Sequence, residues 1–436
     1  MKKTLIIPII ALAATFTTSL QTEAQDWPQF LGPDRNSISS QKNILHTWPQ
    51  DGPEVLWGVS IGRGFGGPVV KDGKVYLLDR DDAVGDKMRC FDLSTGTELW
   101  SYGFGSPGES PFPGSRSVPA IDGNYIYSCG FAGDLYCIDI NTQEPVWNVN
   151  VWSDFGGGRL PTWAISQCPL IYGDLLVIAS QAPEAGVVAY DKLTGRVVWK
   201  TPSLGAVGYV SPAVVQVGNE NHIVMITAAT GRGSNASGGR IVGIDPDTGE
   251  ILWDYKGWNC VIPIPSAVDA GDGKILVTGG YHAGSVMIKP EKQANGSYNV
   301  TELFRNAEFG VHTQPPVLYN GYFYGQCSTN ESKNGLMCMS IDGVTMWQTD
   351  RKPNFERGSI ILAEGLLITT DGVTGLWLVE ADPTGFKPIV SAQKLKEPNP
   401  EPGALENQNW APIALSEGKL LIRNQNRLIC VVIAAN

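Results

Sequence analysis

Four arginines, Arg63, Arg116, Arg159 and Arg357, stand in segments between apolar runs of a chain whose formal net charge is −11. A guanidinium offers a planar fork of donors that matches a carboxylate. Trp163, Tyr209, His312, Asn409 and Trp410 occupy comparable segments. Arginines gathered on an acidic protein favour an anionic ligand: an acidic peptide, an oxidised sugar or a quinone. The same arginines have a second use, bonding backbone carbonyls between structural units, and the sequence leaves both uses open. None of the nine is assigned a catalytic role.

Other chemistry finds little support. Gly62-Arg63-Gly64-Phe65-Gly66-Gly67 matches a dinucleotide-binding pattern, but Pro68-Val69-Val70 follows, where a helix N-terminus is required. Those glycines read as a tight turn. The four histidines, His46, His222, His282 and His312, show no ligand spacing, so no metal site is assigned. Asp79-Arg80-Asp81-Asp82 lacks the spacing of a calcium loop and reads as a solvated acidic turn.

The elements that must position such residues come from one repeated phrase, Asp-x-x-Thr-Gly-x-x-x-Trp. It is complete at Asp92–Trp100, Asp191–Trp199 and Asp245–Trp253, and Gln143 replaces the glycine in Asp139–Trp147. The Asp carboxylate closes a turn on nearby backbone N–H groups, and glycine supplies the positive φ. Alternating apolar runs flank each turn, with a second hairpin upstream, so each unit holds four short strands. Four-stranded sheets repeated at this length are propeller blades. Degenerate units lead to Phe304, Trp347 and the strand near Ile389. The last unit, ending at Leu428–Val432, lacks a fourth strand, and Val55-Leu56-Trp57 supplies it from the other end.

The expected fold is therefore all-β: an eight-bladed β-propeller of four-stranded antiparallel blades, closed by the N-terminal strand pairing with the C-terminal blade. It spans residues 55–436. Loops entering each innermost strand gather around a central mouth and carry the nine residues named above. The repeat tryptophans fill gaps between blades, whereas Trp152, Trp163, Trp258 and Trp410 stand outside the repeat and are free for a ligand.

Eight cysteines accompany these units. Cys90, Cys137, Cys338 and Cys430 share one third-strand position that is Ala189 or Gly243 elsewhere, so they read as small buried side chains without disulfides. Cys129 with Cys137, and Cys327 with Cys338, are possible pairs across hairpins. Residues 1–24 combine Lys2-Lys3, an apolar run and a small residue at Ala24, the pattern of a cleaved secretory signal. That places the chain in a periplasm or outside the cell, with residues 25–54 as an N-terminal extension. The charge balance argues against nucleic acid, and no membrane span or oligomer is expected.

The repeat phrase resembles the tryptophan-docking motif of the pyrroloquinoline-quinone (PQQ) repeat propellers, which include quinoprotein alcohol dehydrogenases and BamB-like scaffolds. The opening Asp26-Trp27-Pro28-Gln29-Phe30-Leu31-Gly32-Pro33-Asp34-Arg35 resembles the W-P-x-F-R-G-P start of a group of exported PQQ-like propellers. The resemblance implies relatives that bind a quinone or only proteins. The adjacent cysteines of the dehydrogenases and a C-x-x-C-H motif are absent. The resulting expectation is an exported, non-enzymatic binding or scaffold propeller, its partner a protein or an anionic small molecule or oligosaccharide. A PQQ- and calcium-dependent dehydrogenase with altered site residues, or a polysaccharide binder, is the alternative.

Overall fold

The computed structural model describes residues 25–231, 235–397 and 408–435. The expected signal segment, residues 1–24, lies outside the described residues. Eight antiparallel sheets follow one another around a ring. Blade 1 is Val69–Lys71, Lys74–Asp81, Gly85–Asp92 and Glu98–Phe104. Blades 2 to 4 run 120–150, 170–200 and 213–255, and blades 5 to 7 run 268–306, 317–348 and 360–392. Blade 8 takes three strands from Ala414–Ser416, Lys419–Arg423 and Arg427–Val432, and its outer strand from Val55–Ser60. The closing register sets Val55 opposite Val431, Trp57 opposite Cys430 and Val59 opposite Leu428. Neighbouring inner strands touch around the channel, as in blades 1 and 8 or 4 and 5.

The repeat phrase works as a lock. Asp92 Oδ1 accepts the N–H groups of Ser94 (3.0 Å) and Thr95 (2.8 Å). Asp139, Asp191 and Asp245 close their turns in the same way. Gly96, Gly195 and Gly249 sit at φ between +70° and +75°. A Cβ on any of them would lie 2.5 to 2.7 Å from the preceding blade's tryptophan ring, Trp57, Trp147 or Trp199. Those indoles also donate to carbonyls of the receiving turn: Trp57 to Leu93, Trp147 to Lys192, Trp199 to Pro246. Apolar area and a satisfied donor thus join blade to blade.

Each docking ring lies opposite the third-strand position expected to be small. Cys90 faces Trp100, Cys137 faces Trp147, Ala189 faces Trp199, Gly243 faces Trp253, Cys338 faces Trp347 and Cys430 faces Trp57. A Cβ at Gly243 would sit 2.0 Å from the Trp253 ring. All eight cysteines are buried and free. The cross-hairpin cysteine pairs do not face each other: Cys137 opposes Tyr127 and Cys338 opposes Tyr324.

One local expectation needs correction. The Asp79–Asp82 stretch is not a solvated turn. Asp79 is buried and holds Arg89 (2.9 Å) and the Gly62 N–H (2.9 Å), while buried Arg80 pairs with Asp82 and Asp86. Burial outweighs the Arg80 charge and raises the Asp86 carboxyl to about 6.

Candidate functional site

The chain reaches each innermost strand through an irregular segment, so those segments converge at one end of the channel. They enclose a cavity of about 500 Å³. Six of the nine residues expected there line it: Arg116, Trp163, Tyr209, His312, Arg357 and Trp410. Arg63 and Arg159 do not line it and are exposed. Asn409 is buried beside the mouth without lining it, and its Oδ1 has no protein partner among the described residues. Trp152 and Trp258 are buried, and their indoles donate to the carbonyls of Gly158 and Ala283, so neither is free for a ligand.

Aromatic rings set the rim. Phe65 stacks on Trp410 with centroids 5.6 Å apart, and Phe112 closes on both. Phe65 comes from the glycine-rich segment, whose glycines permit close packing rather than phosphate binding: a Cβ at Gly66 would meet the Ser117 carbonyl oxygen at 2.2 Å. Phe112 stands in a Pro-Phe-Pro-Gly loop. Sequence reasoning overlooked Phe65, Phe112, Tyr281 and Asn330, since an aromatic or amide in a loop carries no signal until neighbouring blades surround it.

Both arginines that line the cavity are held by protein groups. Arg116 donates to the Gly114 carbonyl (3.1 Å), Ser110 Oγ (2.8 Å) and the Phe112 carbonyl, so it braces its own loop. Its guanidinium lies 5.8 Å from the Phe65 ring centre. Burial lowers its pKa to about 10, which leaves it charged at neutral pH. Arg357 lies over Trp410 at 4.7 Å. Its Nε donates to His312 Nδ1 (2.7 Å) and its Nη2 to Asn330 Oδ1 (3.0 Å). That contact fixes the His312 tautomer, with the proton on Nε2. Burial first, and then the Arg357 charge, lowers the His312 pKa to about 3. His312 is therefore a neutral donor at physiological pH, its basic nitrogen already occupied.

The described lining holds no Asp or Glu. Among the described residues no group of three His, Cys, Asp or Glu side chains is placed to hold a metal ion. The charged groups of the described lining are two guanidinium groups, and hydroxyls, amides and one imidazole supply the rest of its polar character. Such a wall attracts negative charge and flat rings, and the described part contains no carboxylate base.

Comparison with known proteins fits the architecture. Residues 85–259 match the family model described as outer membrane protein assembly factor BamB. The chain is 30% identical over 167 residues to the quinoprotein ethanol dehydrogenase of Pseudomonas aeruginosa, covering 36% of this chain and 25% of that protein. It is 25% identical over 277 residues to the dehydrogenase subunit of the quinone alcohol dehydrogenase of Komagataeibacter europaeus, covering 51% of this chain and 36% of that one. The chain thus spans about a quarter to a third of the length of these relatives. The quinohemoprotein alcohol dehydrogenase from Comamonas testosteroni superposes with a TM-score of 0.62 at 12% identity, over 94% of this chain and 81% of that one. No helix among the described residues is long and apolar enough to cross a membrane. In repeat phrase, blade architecture and these matches, the chain is similar to the β-propellers built from PQQ-type repeats.

Proposed function

We propose that the central mouth binds a planar, carboxylate-bearing molecule of the PQQ class. The observation that carries this is the pairing of aromatic walls, Phe65, Trp410, Trp163 and Tyr209, with two guanidinium groups in a lining free of described carboxylates. The names of the relatives, quinone dehydrogenases, point to the same ligand class. The residues fit the ring and the carboxylates of such a quinone. The described ones do not fit calcium, which takes six to eight oxygen ligands, because no carboxylate is among them. A bound quinone supplies two-electron redox chemistry. This chain's own groups would hold and shield it: Arg357 and Arg116 would offer charge to its carboxylates, His312 Nε2 would be available as a donor, and the rings would exclude water. The proposal stops at binding, because the described lining holds no carboxylate to take a proton from a second substrate.

Titration with PQQ, followed by tryptophan fluorescence, tests it. Saturable quenching at one site per chain, equal with and without calcium, is expected. Arg357→Gln should weaken it roughly tenfold or more, since a hydrogen bond to a charged group contributes about 1.5–3 kcal/mol. Absence of saturable binding would reject the quinone. The family model matched by residues 85–259 supports a second reading, an acidic protein segment docking at the same mouth. Competition between PQQ and an acidic peptide would show whether the two ligands share the site. We further propose that residues 1–24 are a cleaved export signal. N-terminal sequencing of the protein from fractionated cells should begin near Gln25.

A further inference from the structure

Residues 26–45 do more than precede the ring. Trp27 exchanges backbone hydrogen bonds with Val70 in the inner strand of blade 1 (2.8 and 2.9 Å). The Pro28 carbonyl accepts from Ile121 in blade 2 (2.9 Å). Arg35 crosses to the next two blades, donating to the carbonyls of Pro169 (3.1 Å) and Pro212 (3.3 Å), just ahead of their inner strands. Ile38–Ser39 pairs in parallel with Leu362–Ala363 of blade 7. Leu45 then donates to Ile433 (2.8 Å), beside blade 8. One short segment thus bonds directly to six blades. It meets blades 1, 2 and 7 on the inner strands themselves, further along than the mouth residues, so it crosses the far part of the channel.

The segment is wound tightly to do so. Leu31, Arg35 and Ser37 all take positive φ, 64°, 53° and 59°. Gly32, at φ +83°, lies so close to the Trp27 ring that a Cβ there would sit 2.8 Å from it. Strain of this kind persists only where surrounding contacts over-determine it. Phe30 is the one residue of this segment among the described cavity lining, which also includes Val118, Cys168 and Ser211 from the starts of inner strands. The Arg35 guanidinium lies 5.7 Å from the Phe30 ring centre, and Phe30 and Cys168 belong to one apolar cluster.

We propose that this opening motif is the floor of the ligand site: it makes the channel a pocket with one entrance, and Phe30 is the ring on which a planar anionic ligand comes to rest. The motif from Trp27 to Arg35 thereby gains a binding role distinct from ring closure, which the strand Val55–Ser60 performs. Phe30 limits how deep a planar ligand inserts, and the cation beside its ring favours a ligand that carries negative charge. The identity of the ligand rests on the reading of the mouth above; the existence of the floor does not.

Cys168 reports on the floor without any ligand. It lines the cavity, is only 4% exposed, and precedes the proline whose carbonyl holds Arg35. The full mature protein and the variants Phe30→Leu and Phe30→Trp would be treated natively with a small neutral maleimide, and modified Cys168 quantified by peptide mass spectrometry. Melting curves would confirm that both variants fold; if either does not, Phe30→Met and Phe30→Tyr replace them. The smaller side chain should speed Cys168 modification severalfold and the larger should slow it. In parallel, Phe30→Leu should weaken PQQ quenching up to about tenfold, the scale of one lost aromatic contact. Unchanged Cys168 reactivity in both folded variants would overturn the floor. A shift in reactivity with no PQQ binding by the unmodified protein would keep the floor and reject the quinone.

Discussion

Blades 1 to 4 and blades 5 and 7 solve the same packing problem with different chemistry, while blade 6 follows the first group: Trp347 faces Cys338 and donates to the Asp382 carbonyl of blade 7. In the first group, a tryptophan that meets a glycine turn in the next blade buries its ring on that glycine and donates to a turn carbonyl. Two tryptophans there lack such a receiver. Trp100 faces a turn carrying Gln143, held at φ +64°, and no hydrogen bond from its indole is found among the described residues. Trp253 faces blade 5, which has no such turn, and its indole donates to His222 Nδ1 in its own blade (2.9 Å). Tyr298 of blade 5 then bonds His222 Nε2 at 3.2 Å and also donates to Glu220. Blade 5 uses Phe304, opposite the larger Met287, and its ring still packs on Gly343. Blade 7 uses Val390 opposite Leu378. The lesson is a trade in size: a large docking ring needs a small neighbour, and a smaller docking residue tolerates a large one.

The largest effect is expected where this lock also closes the ring. Trp57→Ala should destabilise the protein by about 3–5 kcal/mol, the range for truncating a buried Trp. Chemical denaturation measures it, and a loss below that of Trp100→Ala would contradict the assigned roles of the receiving glycine and carbonyl. Next comes the exceptional seam. His222→Leu should cost about 1–3 kcal/mol, because the Trp253 donor loses its acceptor.

That seam should also be acid-sensitive, unlike the carbonyl-docked ones. Burial lowers the His222 pKa from 6.5, against the pull of Glu220 and Asp245 and with Lys292 adding to the lowering. Above 6.5 both folded and unfolded forms are neutral. As pH falls below 6.5 the unfolded chain takes up a proton that the folded imidazole resists, so stability is lost. Protection of blade 4 amides, corrected for the intrinsic pH dependence of exchange, should therefore fall between pH 7 and 5, and His222→Leu should remove that part of the response. An equal loss of protection in blade 3 would refute the distinction.

A smaller, stabilising effect is expected from Gln143→Gly. It relieves a left-handed non-glycine residue and opens room for Trp100, raising stability by about 1 kcal/mol. An unchanged or lower melting temperature would show that Trp100 is indifferent to its receiver. The smallest effect is Cys338→Ala, about 1 kcal/mol or less, because Ala189 already serves opposite Trp199. Thiol titration of unfolded, unreduced protein should find eight reactive groups.

The blades were legible in the residues because each lock is local in sequence. Asp92 and Thr95 meet within one turn, and Trp100 follows at a fixed distance, so period and residue type suffice to find strand, turn and ring. Closure was legible too, from a strand lacking at one end and present at the other. The mouth was legible only in part. Position ahead of an inner strand nominated Arg116, His312, Arg357 and Trp410, but equally Arg63 and Arg159, which stay exposed and do not line the cavity. Direction of a loop side chain is set by the neighbouring blade, and no local pattern encodes that.

By itself, then, the sequence determined the repeat, the blade number and the small residue beneath each docking ring, since these follow from short-range sterics and hydrogen bonding. Tertiary structure alone decided three things. It set Arg357 against His312, 45 positions away, which leaves the imidazole neutral. It pulled Asp79 out of solvent into an arginine network. It carried the residues around Phe30 across the channel to bond blades that are distant in sequence. Each of these depends on which segments a closed ring brings face to face, and that juxtaposition exists only once the ring has closed.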